Sequence, residues 1–320
     1  MSINLDLDDA QAGIASVLSQ FCEERCDAAV VKAAAGEFPA ALWRELAEIG
    51  VLAAGAPEGE GGPREIIAAM ETLGFAAFPG PLPATFLAMQ LLDEKERVPI
   101  AAGRVVASVA CPPLLPLASF ATVFLEIEGE KVYRLTPRVE PDRIDTLGGE
   151  VWGRGECERI EVFEDATRAI AVYHVALASY LVGLSDALLR AAADHAATRR
   201  QFGQAIGQFQ AVAHPLADCH IRIEAARLVA RSAADLSARG VASAAFEARI
   251  AIFSARRAAV NAAHSCHQVF GAMGIALEGP AFHLSRRIMQ LAAQTPTTHL
   301  SGEALYLNQR VDGETKGATT

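Results

Sequence analysis

The chain has 320 residues, a formal net charge of −10 and 52% hydrophobic residues. That length allows two or three domains with ample core material. An acidic surface excludes general nucleic-acid binding, although a local basic pair such as Arg199 with Arg200 can still hold a phosphate group. The opening MSINLDLDDA is acidic, not basic then apolar, and no unbroken run of about 20 apolar residues would cross a membrane, so the expectation is a cytoplasmic protein with no membrane partner.

In chain order, residues 8–30 read as a first helix, with Asp8 or Asp9 near its start. FPAALWRELAEI, residues 38–49, is amphipathic, with Leu42, Leu46 and Ile49 on one stripe and Gly50 able to stop it. APEGEGGPRE marks a loop, Pro63 suits the first turn of a helix over 64–73, and another helix follows Pro83 through AMQLL. The character changes near residue 103. There ATVFLEIEGEKVYRLTP predicts a strand, a turn at Gly129 and a second strand, with a further strand at 159–164. From residue 167 the pattern is helical again, over 167–199, 208–238, 243–271 and from Pro280 to Leu291. Long helices with short joints predict an antiparallel bundle. No internal repeat or coiled-coil heptad is present.

The expected division is therefore a helical domain over 1–102, a small β domain over 103–166, a helical bundle over 167–310 and a tail over 311–320. The six cysteines, Cys22, Cys26, Cys111, Cys157, Cys219 and Cys266, form no CxxC pair. They read as buried thiols in a reducing compartment, and no metal site is expected.

Two segments carry the chemistry. RRQFGQAIGQFQAVAHPLADC, residues 199–219, puts Arg199 and Phe202 on one face if the helix continues through them, with Gln210 on the helix that follows. A guanidinium, an aromatic face and amides can hold a phosphorylated aromatic ligand; ordinary helix capping, with Arg199 paired to an acid, is the alternative. HQVFGAMGIALEGP, residues 267–280, has Gly271 and Gly274 after an Ala-rich helix. These glycines either expose backbone amides to a pyrophosphate or end the helix.

Together the two segments resemble the carboxy-terminal domain of the acyl-CoA dehydrogenase family. Its R-x-x-F-G, followed by a Gln eight residues after the Phe, is matched by Arg199, Phe202, Gly203 and Gln210. Its Q-x-x-G-G-x-G is matched by Gln268, Gly271 and Gly274, with Ala272 in place of one glycine. LWRELAEIGVLAAGAPEGEGG resembles an amino-terminal segment of the family, and EGPAFHLSRR a later one containing Glu278, Pro280, Arg286 and Arg287. The resemblance implies a mainly α fold with a small central β domain: a helical domain, a reduced β domain and a four-helix bundle. It also implies FAD as cofactor and α,β-oxidation of an acyl-CoA. Arg199, Phe202, Gln210, Gln268, Gly271 and Gly274 would then reach the FAD of a neighbouring subunit.

The departures from that family matter equally. Its usual catalytic Glu position falls on Thr295, with Gln294 and Thr297 beside it, and its alternative position falls on Tyr173, followed by His174. None is a carboxylate, so no catalytic residue is assigned. His195 stands where the family often has Tyr, and residues 103–165 contain no counterpart of the loops that cover the flavin ring. The implied reading is one of two unlike subunits in an α2β2 assembly, resembling those that act on steroid side chains. A full-length homologue would supply the base and ring pocket, and an electron-transfer flavoprotein or similar acceptor would follow. Two alternatives stand beside it. One is a self-sufficient dehydrogenase whose base is His174, Glu278 or His283. The other is a non-catalytic structural or regulatory subunit.

Overall fold

The computed structural model describes residues 5–33, 36–57, 59, 61–146 and 148–294. The amino-terminal part holds α1 (Asp9–Arg25), α2 (Ala28–Ala33), α3 (Ala40–Glu48), α4 (Pro63–Phe75), α5 (Leu82–Leu91) and α6 (Glu94–Ala101). Instead of one helix over 8–30 there are two. The Asp27 carboxylate accepts from the amides of Ala29 and Val30, both at 2.9 Å, and so begins a new helix where the first would have continued. In α3 the buried residues are Leu42, Trp43, Leu46 and Ala47, while Ile49 is exposed just past the helix end. Gly50, at φ +93°, makes the left-handed stop there. The α6 helix has no apolar stripe to betray it, since Ile100 is its one buried residue, and it starts on the Asp93 side chain capping Glu96.

The β region runs through β1 (Ala107–Val109), β2 (Leu114–Pro116), β3 (Val123–Glu128), β4 (Lys131–Pro137), β5 (Asp142–Ile144), β6 (Trp152–Arg154) and β7 (Cys157–Phe163). Four strands form one sheet in the order β1-β3-β4-β7, with β1 parallel to β3 and the other pairs antiparallel. A second, three-stranded sheet runs β2-β6-β5. The expected hairpin is β3–β4, turning at Gly129, whose φ is +64°.

The carboxy-terminal part contains α7 (Thr167–Thr198), a hairpin of β8 (Arg200–Gln201) and β9 (Gln204–Ala205), α8 (Gln210–Ala238), α9 (Ala244–Phe270) and α10 (Pro280–Gln294). The expected bundle residues beyond 294, and the tail, lie outside the described residues. The fold is mainly α with a small β region, as the sequence implied. The central helix is α7, which packs against α4, α5, α8, α9 and α10. It is long and apolar enough to cross a membrane by composition, but 89% of its most apolar window is buried inside the protein.

Two features tie the amino-terminal helices to the bundle. The first is close packing of α4 on α7. A Cβ on Gly183 would sit 2.1 Å from the Glu71 carbonyl oxygen, and one on Gly74 would sit 2.3 Å from that of Tyr180. Only glycine permits that approach. The second is a buried carboxylate: Glu71 accepts from Arg227 Nη1 at 2.7 Å and from Arg231 Nε and Nη2 at 2.9 and 2.8 Å. Burial opposes the charge on Arg227, but Glu71, helped by Glu224 and Asp186, offsets this and holds the guanidinium above its ordinary value. Of the cysteines, Cys22, Cys26, Cys219 and Cys266 are buried, and burial pushes the thiols of Cys22, Cys26 and Cys266 up to about 12. Cys111 is exposed and Cys157 half-buried, contrary to the expectation that all six are buried: each lies at a strand margin of the small β region, outside the helical core that covers the other four.

One substitution type separates packing from propensity. Gly183→Ala is expected to destabilise the protein by about 1–3 kcal/mol through overpacking against α4. Gly13→Ala, on α1 with open space around its Cβ, should instead be neutral or stabilise by up to about 1 kcal/mol. Urea unfolding of the two variants beside the parent measures both signs.

Candidate functional site

Residues 199–205 do not continue the helix. α7 ends at Thr198, and Arg199 turns the backbone to extended geometry at φ −68° and ψ 124°. The chain then folds into the β8–β9 hairpin, whose two central residues, Phe202 and Gly203, both have positive φ at 52° and 83°. That is the turn type a two-residue hairpin prefers, with an unusual Phe at its first central position. Arg199 and Phe202 thus share no helix face, which corrects the expectation from spacing. Phe202 instead projects outward with 93% of its surface exposed, and meets the Phe209 ring edge-on at 6.2 Å.

Three helix ends meet at this end of the bundle: the last turns of α7 and α9 and the first turn of α8. The His195 ring of α7 lies 4.8 Å from that of Phe270 on α9. The two motifs, 70 residues apart in sequence, are therefore brought together. Arg199, Gln210, Gln268 and Gly271 are exposed there, and Gly274 is buried. Gly271 has φ +58° and ψ −132°, a region reserved for glycine. Gly274 packs so that a Cβ would stand 3.0 Å from the His267 carbonyl. Ala272, in place of the family glycine, is exposed and sits in an ordinary short helical turn.

The electrostatics of this rim favour an anion. Arg199 makes no ion pair among the described residues. α8 begins with no side-chain cap and no acid in its first turn, so no side chain offsets the positive end of the helix dipole there. A free guanidinium beside a bare helix amino terminus is a phosphate-seeking arrangement.

The interior junction of the three parts is filled. A cavity of about 50 Å³ lies there, touched by Tyr173, Leu177, Glu150 and Arg287. Ligand pockets measure roughly 300–1,000 Å³, so this space holds water at most. Arg287 of α10 forms an ion pair with Glu150 and donates to the Gly80 carbonyl at 3.3 Å. Gln290 Nε2 and Trp152 Nε1 also donate to Glu150, at 2.7 and 3.3 Å. Tyr180, beside Arg287, donates its hydroxyl to the Phe78 carbonyl at 2.7 Å. Burial alone would lower the Arg287 pKa, but Glu150 and Tyr180 hold it above its ordinary value. Sequence reading matched Arg287 to a family motif but had no signal for its partner Glu150, which sits 137 positions earlier in an irregular stretch.

The candidate bases are poorly placed for proton abstraction. His174 is 1% exposed, neither ring nitrogen has a hydrogen-bond partner, and burial with Arg249 nearby pushes its pKa down to about 3. Burial of the Tyr173 phenol moves it well above its ordinary range. His283 donates Nε2–H to the Leu277 carbonyl at 2.7 Å, and Glu278 is exposed on the loop before α10. Thr295 and Thr297 lie outside the described residues. Among the described residues no group of three or more His, Cys, Asp or Glu could hold a metal.

Comparison with known proteins gives a consistent picture. The family model for the acyl-CoA dehydrogenase C-terminal domain matches residues 163–295, and that for the N-terminal domain matches residues 8–91. An acyl-CoA dehydrogenase of Bacillus subtilis (strain 168) is 36% identical over 124 residues, covering 39% of this chain and 32% of that protein. The mitochondrial short-chain specific acyl-CoA dehydrogenase of Sus scrofa is 32% identical over 119 residues, 37% of this chain and 29% of that one. The match thus spans about a third of the length of these curated relatives. Among solved structures, a variant of the Tcur3481-Tcur3483 steroid ACAD superposes with a TM-score of 0.78 at 21% identity, over 98% of this chain and 100% of that one. The ChsE4-ChsE5 complex from Mycobacterium tuberculosis gives 0.75 at 21% identity, over 99% and 100%.

His174 makes the acid limb of stability testable. Its folded pKa of about 3 lies below the ordinary 6.5, so between those values the unfolded chain binds the proton and the folded chain does not. Stability from this group is complete above pH 6.5 and is lost as pH falls toward 3. His174→Leu, which also removes two unpaired buried nitrogens, should leave stability at pH 7 equal or higher and flatten its decline over pH 6.5–3, as read by denaturant midpoints across pH.

Proposed function

The chain belongs to the acyl-CoA dehydrogenase family, and on that premise we propose that it is one subunit of a heteromeric, FAD-dependent acyl-CoA dehydrogenase. In this reading it lends the Arg199 rim to an FAD housed mainly in a full-length homologue within an α2β2 assembly. The partner supplies the base and the flavin-ring pocket. The reaction is α,β-dehydrogenation of a CoA thioester, in which bound FAD accepts the hydride from the β carbon.

The observation that carries the reading is an asymmetry in this one chain. Its outward rim keeps the anion-seeking parts: Arg199 without a counter-ion, an uncapped α8 amino terminus and a glycine turn at Gly271. Its interior junction, among the described residues, is occupied by the Arg287–Glu150 pair beside a cavity of only about 50 Å³. Arg199 would meet a pyrophosphate, Gln268 and Gln210 would offer amide donors, and Gly271 and Gly274 would let backbone amides approach closely. Phe202, held outward by its hairpin, would press into the partner and keep water from the ion contact.

A bulky thioester such as a steroid side chain fits the analogy to the two steroid-type heteromers named above, since giving up half of the sites leaves room at the other half. An electron-transfer flavoprotein or similar acceptor would reoxidise the cofactor, in the cytoplasm. The enclosed, unpartnered His174 speaks against one of the three bases, His174, Glu278 or His283, that a self-sufficient enzyme would need, and a purely structural subunit has no need of an unpaired Arg199.

Replacing Arg199 tests the role directly. In the purified complex, Arg199→Ala should lower FAD retention by about 10- to 100-fold, the equivalent of one charge-assisted contact. Equilibrium dialysis with FAD measures this. Unchanged retention would remove Arg199 from the site.

A further inference from the structure

A second small cavity, of about 40 Å³, lies between α2 and α10 and shares Glu150 and Arg287 with the interior junction. Val31 of α2, Pro79 and Gly148 line one part of it, and His283 and Arg286 of α10 another. Four basic side chains gather at this joint: Lys32 on α2, and His283, Arg286 and Arg287 on α10. Among the described residues only Arg287 has an acidic partner. It pairs with Glu150, whose carboxylate also accepts from Gln290 and Trp152. Lys32 donates instead to the Glu278 backbone carbonyl, at 3.2 Å.

Two nitrogens of the lining residues are orphaned. Arg286 Nε is buried without a hydrogen-bond partner, and its guanidinium rests 5.1 Å from the Phe282 ring. His283 Nδ1 is buried and equally unpartnered, while Nε2 of the same ring donates to the Leu277 carbonyl at 2.7 Å. In the neutral ring that leaves Nδ1 a bare acceptor; protonation turns it into a donor. Burial pushes both His283 and Arg286 down, and the charges of Arg286 and Lys32 press His283 down further. Lys32, His283 and Arg286 therefore stand close enough to repel one another, and no acidic side chain offsets them among the described residues. Buried donors and charges left in that state are costly.

Size and polarity decide what relieves the cost. About 40 Å³ holds one water-sized group. A water would satisfy Arg286 Nε but would leave the repulsion between the cations in place. A phosphate, with four oxygens around its phosphorus, exceeds the space. The Glu150 carboxylate is already engaged by Arg287, Gln290 and Trp152. A monovalent anion of chloride size matches both the volume and the charge.

We propose that the α2–α10 joint is a binding site for a monovalent anion of chloride size, held by Arg286 Nε and by Nδ1 of protonated His283, with Lys32 adding charge from α2. The bound anion fastens α2 to the bundle. That helix has only six residues, too few to hold its place by helix propensity. Binding takes up a proton at His283, so it strengthens as pH falls through the histidine range. The other charged groups at this joint are Lys32, Arg286, Arg287, Glu150 and Glu278, residue types that do not titrate between about pH 6 and 8 at their ordinary values. The site belongs to this chain alone and does not depend on the shared-FAD reading.

The test melts the full chain in sodium chloride and in sodium gluconate at matched ionic strength, near pH 6 and near pH 8. Gluconate is too large for the cavity, and Arg286→Gln supplies the baseline for general salt effects. The expected result near pH 6 is a chloride advantage about 2–4 °C larger in the parent than in Arg286→Gln, shrinking near pH 8. His283→Gln should lose that pH dependence. An equal response of the parent and Arg286→Gln to the two salts overturns the proposal. Crystals of the parent grown with sodium bromide give an independent reading, which decides the matter should Arg286→Gln fail to fold. An anomalous peak in contact with both Arg286 Nε and His283 Nδ1 is expected. A water at that place overturns the proposal, and so does bromide found only on the outer surface.

Discussion

The Arg287–Glu150 ion pair is the interaction on which the arrangement turns. It joins α10 to the β region and, through the Gly80 carbonyl, to the start of α5. Taking both charges out of water costs several kcal/mol each, which mutual attraction repays only when the remaining hydrogen-bonding capacity is also met. Gln290 and Trp152 meet it on the carboxylate side, and the Gly80 carbonyl on the guanidinium side. Where α10, the β region and the start of α5 converge, the chain has placed this polar network beside a cavity of about 50 Å³.

The proposed site lies at the surface, away from this junction. The close α4–α7 packing through Gly74 and Gly183, and the Glu71 ion network, fix the bundle against the amino-terminal helices. That rigidity sets the position of the α7, α8 and α9 ends, and therefore of Arg199, Gln210, Gln268 and Gly271. At the rim, Arg199 stands beside the uncapped amino terminus of α8 with no acid paired to it among the described residues.

Much of this was legible in the sequence. The long helices α7, α8 and α9 declared themselves by apolar periodicity and by the breakers at Gly240 and Gly271, and the β3–β4 hairpin by alternation around Gly129. The site motifs were found by type and spacing, but their conformation was not. Nothing in Arg-Arg-Gln-Phe-Gly announces that Phe202 adopts a left-handed φ, because that choice is made by the hairpin closing between α7 and α8. The split at Cys26 was missed because the Asp27 cap competes locally with a helical pattern that runs through it. Glu150 carried no local signal, since it acquires its meaning from residues distant in sequence.

The central claim is that this chain is half of a flavin site. The most direct measurement is the visible spectrum and FAD stoichiometry of the pure protein, made alone and then co-produced with its full-length homologue. The account predicts a colourless protein alone and a yellow, stable complex with about one FAD per pair of unlike chains. A protein that is yellow alone, with a flavin band that bleaches on adding an acyl-CoA, would contradict it.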